Sequence, residues 1–261
     1  MSPIAFTLGG LTIRWYGVMA ALGFLAGMML LQWNRKEAKL TSDQAANLIF
    51  IAMLSGVAGS RIFYVIQFFE QFKDNLFDIV RIDKGGLVFY GGFILATFCI
   101  YLYSRKCKLD FVRVFDVMTP SLAIGHAFGR VGCFLNGCCF GTITDSPLGV
   151  RYPQYSEPYM RYMDAALHPI QLYEASFNVV LCIVLLILVR KVRYRGVAIS
   201  AYFTTYGIGR FIFEFFRGDN AKMLGLTIAQ YIGIVLIIIG SIWLIYNLRR
   251  KEVLEIEEDA A

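Results

Sequence analysis

The chain is short of charge. Asp, Glu, Lys and Arg supply only 17% of its 261 residues, while 57% are hydrophobic and the mean hydropathy is +0.58. A soluble domain carries about a quarter of its residues as charges, so that class is excluded and most of the chain is expected in lipid. A removable leader is also missing. The first apolar run follows a single basic residue, Arg14, and has no small-residue cleavage site before Gln32-Trp33, so it reads as a retained span. No Pro-, Gly- or Ser-rich linker interrupts the sequence, which predicts one integral-membrane domain over 1–261. Nor do the 6 cysteines form a secreted disulfide framework, because Cys99, Cys107 and Cys182 lie singly in or beside apolar runs.

What remains is hydrophobic runs of bilayer length, which need about 20 apolar residues each. They predict an all-α polytopic membrane protein with seven transmembrane helices, over roughly 15–33, 47–69, 87–104, 115–135, 170–190, 197–216 and 226–247. The short links on one side hold Arg35, Lys36, Lys39, Arg105, Lys106, Lys108, Arg113, Arg190, Lys191, Arg193 and Arg195, and the tail there opens with Arg249, Arg250 and Lys251. The other side has Arg14, Lys73, Arg81, Lys84, Arg151, Arg161, Arg217 and Lys222, spread over longer loops. The positive-inside rule therefore puts the N-terminus outside and the C-terminus in the cytoplasm. It also accounts for the net charge of +6 without a nucleic-acid partner.

Two outer segments are more than connectors. Residues 71–86 mix charged and apolar residues as an interfacial helix does. The loop 142–168 holds Tyr152, Tyr155, Tyr159 and Tyr162 with Met160 and Met163, and reads either as an aromatic belt or as a cap over a substrate. The acidic stretch from Glu255 to Asp259 reads as a solvated tail.

Arg61, Arg130 and Arg210 fall inside spans 2, 4 and 6, each shortly after a glycine and each on the order of 20 Å from the inner end of its helix. An arginine in hydrocarbon costs about 2.5–3.5 kcal/mol on insertion scales, so all three must face protein or a polar cavity. The acids at hand are Glu174, at the outer start of span 5, and Glu214, one turn beyond Arg210. Three arginines against two carboxylates leave a positive charge. Two readings follow: a structural ion-pair network, which suits Arg61 best, or a cavity for an anion. A guanidinium grips phosphate with a planar fork, and at this depth the phosphate belongs to a lipid. Other polar islands share the layer: Arg14-Trp15-Tyr16-Gly17, Tyr90-Gly91-Gly92, His168 to Glu174, and Tyr206 one helical turn before Arg210.

The motifs Ile13-Arg14-Trp15-Tyr16-Gly17, Gly129-Arg130-x-Gly132-x-Phe134-x-Asn136-x-x-x-x-Gly141, His168-Pro169-x-Gln171-Leu172-Tyr173-Glu174, Tyr206-Gly207-x-x-Arg210 and Glu214-Phe215-Phe216-Arg217 span nearly the whole chain. With them the sequence resembles the phosphatidylglycerol–prolipoprotein diacylglyceryl transferase family of bacterial inner membranes. The resemblance implies seven spans, a lipid-facing entrance and a small periplasmic head. It implies phosphatidylglycerol and the lipobox cysteine of prolipoprotein signal peptides as partners, with no cofactor and no metal. It makes Arg130 and Arg210 the catalytic arginines, with Tyr16, Asn136 and Tyr206 about the substrate; the shared depth of Arg61 and of the polar island at His168 adds those two to the expected substrate contacts, with the site towards the outer leaflet.

Three positions depart from that family's pattern. Tyr90 stands where a histidine usually precedes Gly91-Gly92, Cys133 where asparagine is usual, and Cys138 where glutamate is usual. Tyr90 is thus expected to act by hydrogen bonding, because a phenol of pKa near 10 is a poor base; His168 and Glu174 are the other candidates for a base. Cys133, Cys138 and Cys139 with His126 match zinc ligands in type but not in the usual spacing, and read as packed thiols or a disulfide. A lipid carrier that only binds anionic headgroups would use the same arginines, though no repeated halves of the sort transporters use are visible. A paralogue with a different acceptor is the second rival.

Overall fold

A computed structural model describes residues 3–9, 11–73, 75–81, 86, 88–192, 194–218 and 223–250. The helices are α1 (Trp15–Asn34), α2 (Ser42–Gln67), α3 (Phe89–Lys106), α4 (Phe111–Asn136), α5 (Glu157–Tyr162), α6 (Ile170–Lys191), α7 (Val197–Phe213) and α8 (Ile228–Arg250). Four helical segments are long and apolar enough to cross a membrane: Trp15–Ala38, Ser42–Gln67, Ile170–Lys191 and Ile228–Arg250. The other three long helices coincide with the remaining expected spans but are shorter or more polar. α7 has 17 residues, and α4 carries Arg113, Asp116, His126 and Arg130 along its length. Their sorting of side chains is that of helices in lipid. On α6, Gln171, Glu174 and Asn178 are buried while Val180, Ile183, Val184 and Ile187 are exposed, polar in and apolar out, because hydrocarbon cannot solvate polar groups.

The chain divides into two units, one of Met1–Glu37 with Phe115–Ala261 and one of Ala38–Val114. The second is built on α2 and α3, which pack along each other. Thr41 starts α2 with a capping box: its hydroxyl accepts from the Gln44 N–H at 3.2 Å and the Gln44 amide oxygen accepts from the Thr41 N–H at 2.9 Å. Instead of one interfacial helix, the segment after α2 forms two short 3-10 turns, Phe69–Phe72 and Leu76–Val80; residues 74, 82–85 and 87 lie outside the described residues, as does the acidic tail. Arg61 anchors the end of this segment: its guanidinium donates to the carbonyls of Ile79 at 2.8 Å, Asp78 at 2.5 Å and Gly86 at 2.9 Å.

The first unit opens on an antiparallel hairpin, β1 (Ile4–Leu8) and β2 (Leu11–Arg14), paired Leu8 to Leu11 and Thr7 to Thr12. The all-helical expectation passed over it, although Leu8-Gly9-Gly10-Leu11 is a two-residue hairpin signal. Behind it α1 is fastened to α4 by Ser121, whose hydroxyl donates to the Gly27 carbonyl at 2.7 Å. At the far end of α1, Asn34 accepts from Arg190 Nε at 3.0 Å and the same guanidinium lies 3.8 Å from the Trp33 ring centre. Asp116 is fully buried on α4 and accepts from the Gly196 N–H at 2.7 Å and the Ile199 N–H at 2.9 Å. It thus caps α7, where a negative charge also meets the positive end of the helix dipole.

Candidate active site

The two arginines singled out on α4 and α7 meet at one carboxylate. Arg130 Nε lies 2.7 Å from Glu174 Oε2, and Arg210 Nη1 lies 3.3 Å from Glu174 Oε1. Arg210 reaches on to Glu214, Nη2 to Oε2 at 2.8 Å, and Arg217 Nε stands 4.0 Å from the same oxygen. The order Arg130–Glu174–Arg210–Glu214–Arg217 is therefore one chain of ion pairs. Glu174 and Glu214 are 3% and 0% exposed at their side chains, and the arginines 12%, 13% and 8%. Among the described residues this chain sets three guanidiniums and two carboxylates together in a poorly solvated place, where charge is felt strongly.

The third arginine of this chain is Arg217, which the sequence assigned to a loop. Its spacing of three from Glu214 and seven from Arg210 held the signal, since those positions share a helical face. Arg61 belongs to the other unit and is engaged there by three carbonyls and by the Tyr64 and Phe72 rings, 5.5 and 5.3 Å from its guanidinium carbon. That favours the structural reading for Arg61. Tyr90 also lies in that unit, in the first turn of α3, and is 42% exposed.

The remaining expected residues lie in the unit that holds the ion-pair chain. Tyr206 stacks on Tyr202, ring centres 5.5 Å apart, and meets His126 at 5.1 Å. His126 precedes Arg130 by one turn as Tyr206 precedes Arg210, so a matched ring–arginine pair stands on each helix. The sequence motifs alone give His126 no part in the anion site; the ring contact with Tyr206 is what brings it there. Tyr16 packs against α4 at Gly132, where an added Cβ would come within 3.2 Å of its ring. Asn136 ends α4, and the Cys138 thiol just beyond it donates to the Cys133 carbonyl at 3.7 Å. With Cys138 and Tyr155 it lines a cavity of about 140 Å³.

The segment 140–168 is a small folded head. Gly141 N–H donates to the His168 carbonyl at 3.1 Å, Thr142 N–H to Phe216 at 2.8 Å, and Val150 and Leu167 exchange bonds of 2.9 and 3.0 Å. Gly141 admits no side chain, because a Cβ there would stand 2.5 Å from the His168 oxygen. Phe140, Leu167 and Tyr152 form a buried core, so Tyr152 is not part of an aromatic belt, whereas Tyr155 is 73% exposed. Buried Gln171 ties this head to the site: its amide donates to the Cys138 carbonyl at 2.7 Å and meets the Tyr152 hydroxyl. Burial pushes the Tyr152 hydroxyl above the ordinary phenol range. Hydrogen bonds from Cys133 and then Cys138 hold the Cys139 thiol below the ordinary cysteine range. The His168 ring lies edge-on to Tyr173 and Phe216, 6.1 and 5.6 Å between centres.

Glu174 is committed to two guanidiniums, which unsuits it as a base. What the centre can do is hold an anion between arginines of two helices and stabilise charge that grows there. The family model for prolipoprotein diacylglyceryl transferase matches residues 3–246. A phosphatidylglycerol–prolipoprotein diacylglyceryl transferase of Clostridium botulinum (strain Langeland) is 37% identical over 252 residues, covering 97% of this chain and 99% of the relative. One of the same description from Clostridium kluyveri (strain ATCC 8527) is 34% identical over 246 residues, covering 94% and 96%. With matches that run almost from end to end and span every motif of the ion-pair chain, the chain belongs to the prolipoprotein diacylglyceryl transferase family.

Proposed function

We propose that this chain moves the diacylglyceryl group of phosphatidylglycerol onto the lipobox cysteine thiol of prolipoproteins, with Arg130 and Arg210 carrying the chemistry. The observation behind this reading is the buried ion-pair chain in which Glu174 holds arginines from two different helices. In the reaction the acceptor sulfur attacks the glycerol carbon of the phosphate ester. The C–S bond forms, the C–O bond breaks, and glycerol phosphate leaves with the electron pair; the thiol proton passes to a base. Arginines at the phosphate stabilise charge on the departing oxygen, and the same field favours a thiolate over a thiol of pKa near 8.5.

Among the described residues Arg130 meets Glu174 through Nε, which leaves both Nη groups for the phosphate. Glu174 aligns Arg210 beside it, and Asp116 sets α7 against α4, so the pair needs little reorganisation when lipid arrives. Tyr16, Asn136, Tyr206 and His168 line the approach, and the place of Tyr90 in the Tyr90-Gly91-Gly92 motif supports a hydrogen-bonding part for its hydroxyl in the reaction. The chain works as one domain of seven spans in the bacterial cytoplasmic membrane. Its N-terminus and the 140–168 head lie outside and its C-terminus lies in the cytoplasm, as the distribution of basic residues supports.

The test uses purified chain in detergent, phosphatidylglycerol vesicles and a lipobox peptide. The peptide should gain a diacylglyceryl mass at its cysteine, and phosphatidylethanolamine vesicles should yield none. Binding of phosphatidylglycerol without transfer would favour a lipid carrier; transfer to another thiol acceptor but not to the peptide would favour a paralogue.

A further inference from the structure

Cys133, Cys138 and Cys139 depart from the usual spacing of metal ligands, yet the fold gathers them: their three sulfurs all lie within 4.8 Å of one another. The cause is the way α4 ends. Gly137 takes the left-handed conformation, φ +71°, its N–H bonds the Phe134 carbonyl at 3.1 Å, and the Cys138 N–H bonds the Cys133 carbonyl at 3.2 Å. This is a Schellman ending, and it sets the third residue before the helix's last beside the first residue after the glycine. Those two residues are Cys133 and Cys138. Cys139 then adopts φ +60°, a conformation a non-glycine residue enters at a cost, and its sulfur joins the other two. The helix ending and the strained residue together converge three thiols that the sequence spreads over seven positions.

We infer that Cys133, Cys138 and Cys139 form a three-thiolate site for a soft d10 cation of the zinc or copper(I) type. Sulfur is the ligand such ions prefer. At a metal–sulfur distance of about 2.3 Å, tetrahedral ligation needs sulfurs roughly 3.8 Å apart, which side-chain rotation supplies from the observed spread. A disulfide would join only two of the three and leave a thiol over. All three cysteines are half-buried, and Cys138 lines the 140 Å³ cavity beside Asn136, which gives an ion an access path. On binding zinc, the three thiols release their protons to solvent, and the site carries one negative charge. Arg130 and Arg217 lie within electrostatic reach of Cys139 and balance it. The Gln171 amide on the Cys138 carbonyl holds that ligand's backbone in place, as outer partners do in metal sites. The ion is an accessory to the transfer site, so its binding and the transfer reaction are read out separately.

The test is zinc binding by the full chain in detergent, reduced, stripped with a chelator, loaded and freed of excess metal. One zinc per chain should be retained by the parent and by a Cys99→Ser/Cys107→Ser/Cys182→Ser control, with at least a hundredfold loss of affinity in Cys133→Ser and in Cys139→Ser. On the unmutated chain, zinc should protect these three cysteines and not the others from alkylation, mapped by mass spectrometry; this arm stands even where a serine variant fails to fold. Equal zinc retention by parent and Cys133→Ser, or alkylation of the three thiols unchanged by zinc, would overturn the site.

Discussion

Replacing Arg130 by lysine tests the arginine centre most directly, because it keeps the charge. Lysine is one atom shorter than arginine, and its ammonium would come to rest on Glu174, whose Oε2 now lies 2.7 Å from Arg130 Nε. The ion pair would survive and the fold with it. The two Nη groups would be gone, and with them the fork that faces the phosphate. A hydrogen bond to a charged partner is worth about 1.5–3 kcal/mol, so two of them realised in the transition state are worth roughly 3–6 kcal/mol. That is a loss of about 10²- to 10⁴-fold in rate. Arg130→Ala should lose turnover to a similar degree and also stability, since removing one partner of a buried pair costs about 3–5 kcal/mol. Initial rates of peptide diacylglycerylation are to be measured beside thermal melting in detergent. An Arg130→Lys protein within about tenfold of the parent rate, with unchanged affinity for phosphatidylglycerol, would refute the fork.

Tyr90→Phe should lower the rate about ten- to a hundredfold, the loss of one bond to a charged partner. Tyr90→His should keep or raise the rate and add an inflection near pH 6–7, where imidazole titrates; a phenylalanine variant equal to the parent at every pH would make Tyr90 only an interfacial aromatic. Asp116→Ala should destabilise the protein by about 1–3 kcal/mol for each of the two N–H groups it now satisfies, seen as a lowered melting temperature, and an unchanged melt would deny it the capping role. The Cys138→Ser/Cys139→Ser double variant should keep substantial turnover, because the acceptor brings its own thiol; a diacylglyceryl adduct trapped on either cysteine would contradict this.

Much of the site was legible because its signals are local. Hydropathy runs located each long helix to within a few residues, and Arg210, Glu214 and Arg217 lie on one face by spacing alone. The Schellman ending was equally open to reading, since Gly137 after an apolar helix pairs residue 133 with residue 138; the unusual metal spacing diverted attention from it. The two-residue turn of the N-terminal hairpin was overlooked because four- and five-residue strands are faint beside twenty-residue spans.

By itself the sequence determined that the chain lives in lipid, that its basic residues gather in alternate links, and that three arginines fall inside its apolar runs. Those are sums over neighbouring residues, and the bilayer enforces them on any fold. Only the tertiary structure decided which arginine meets which acid. Glu174 bridges Arg130 and Arg210 across separations of 44 and 36 residues, Asp116 caps a helix some 80 residues away, and Arg61 finds its partners in loop carbonyls. A charge in hydrocarbon must be paired, but many pairings satisfy that demand equally, and it is the packing of α4, α6 and α7 that selects one.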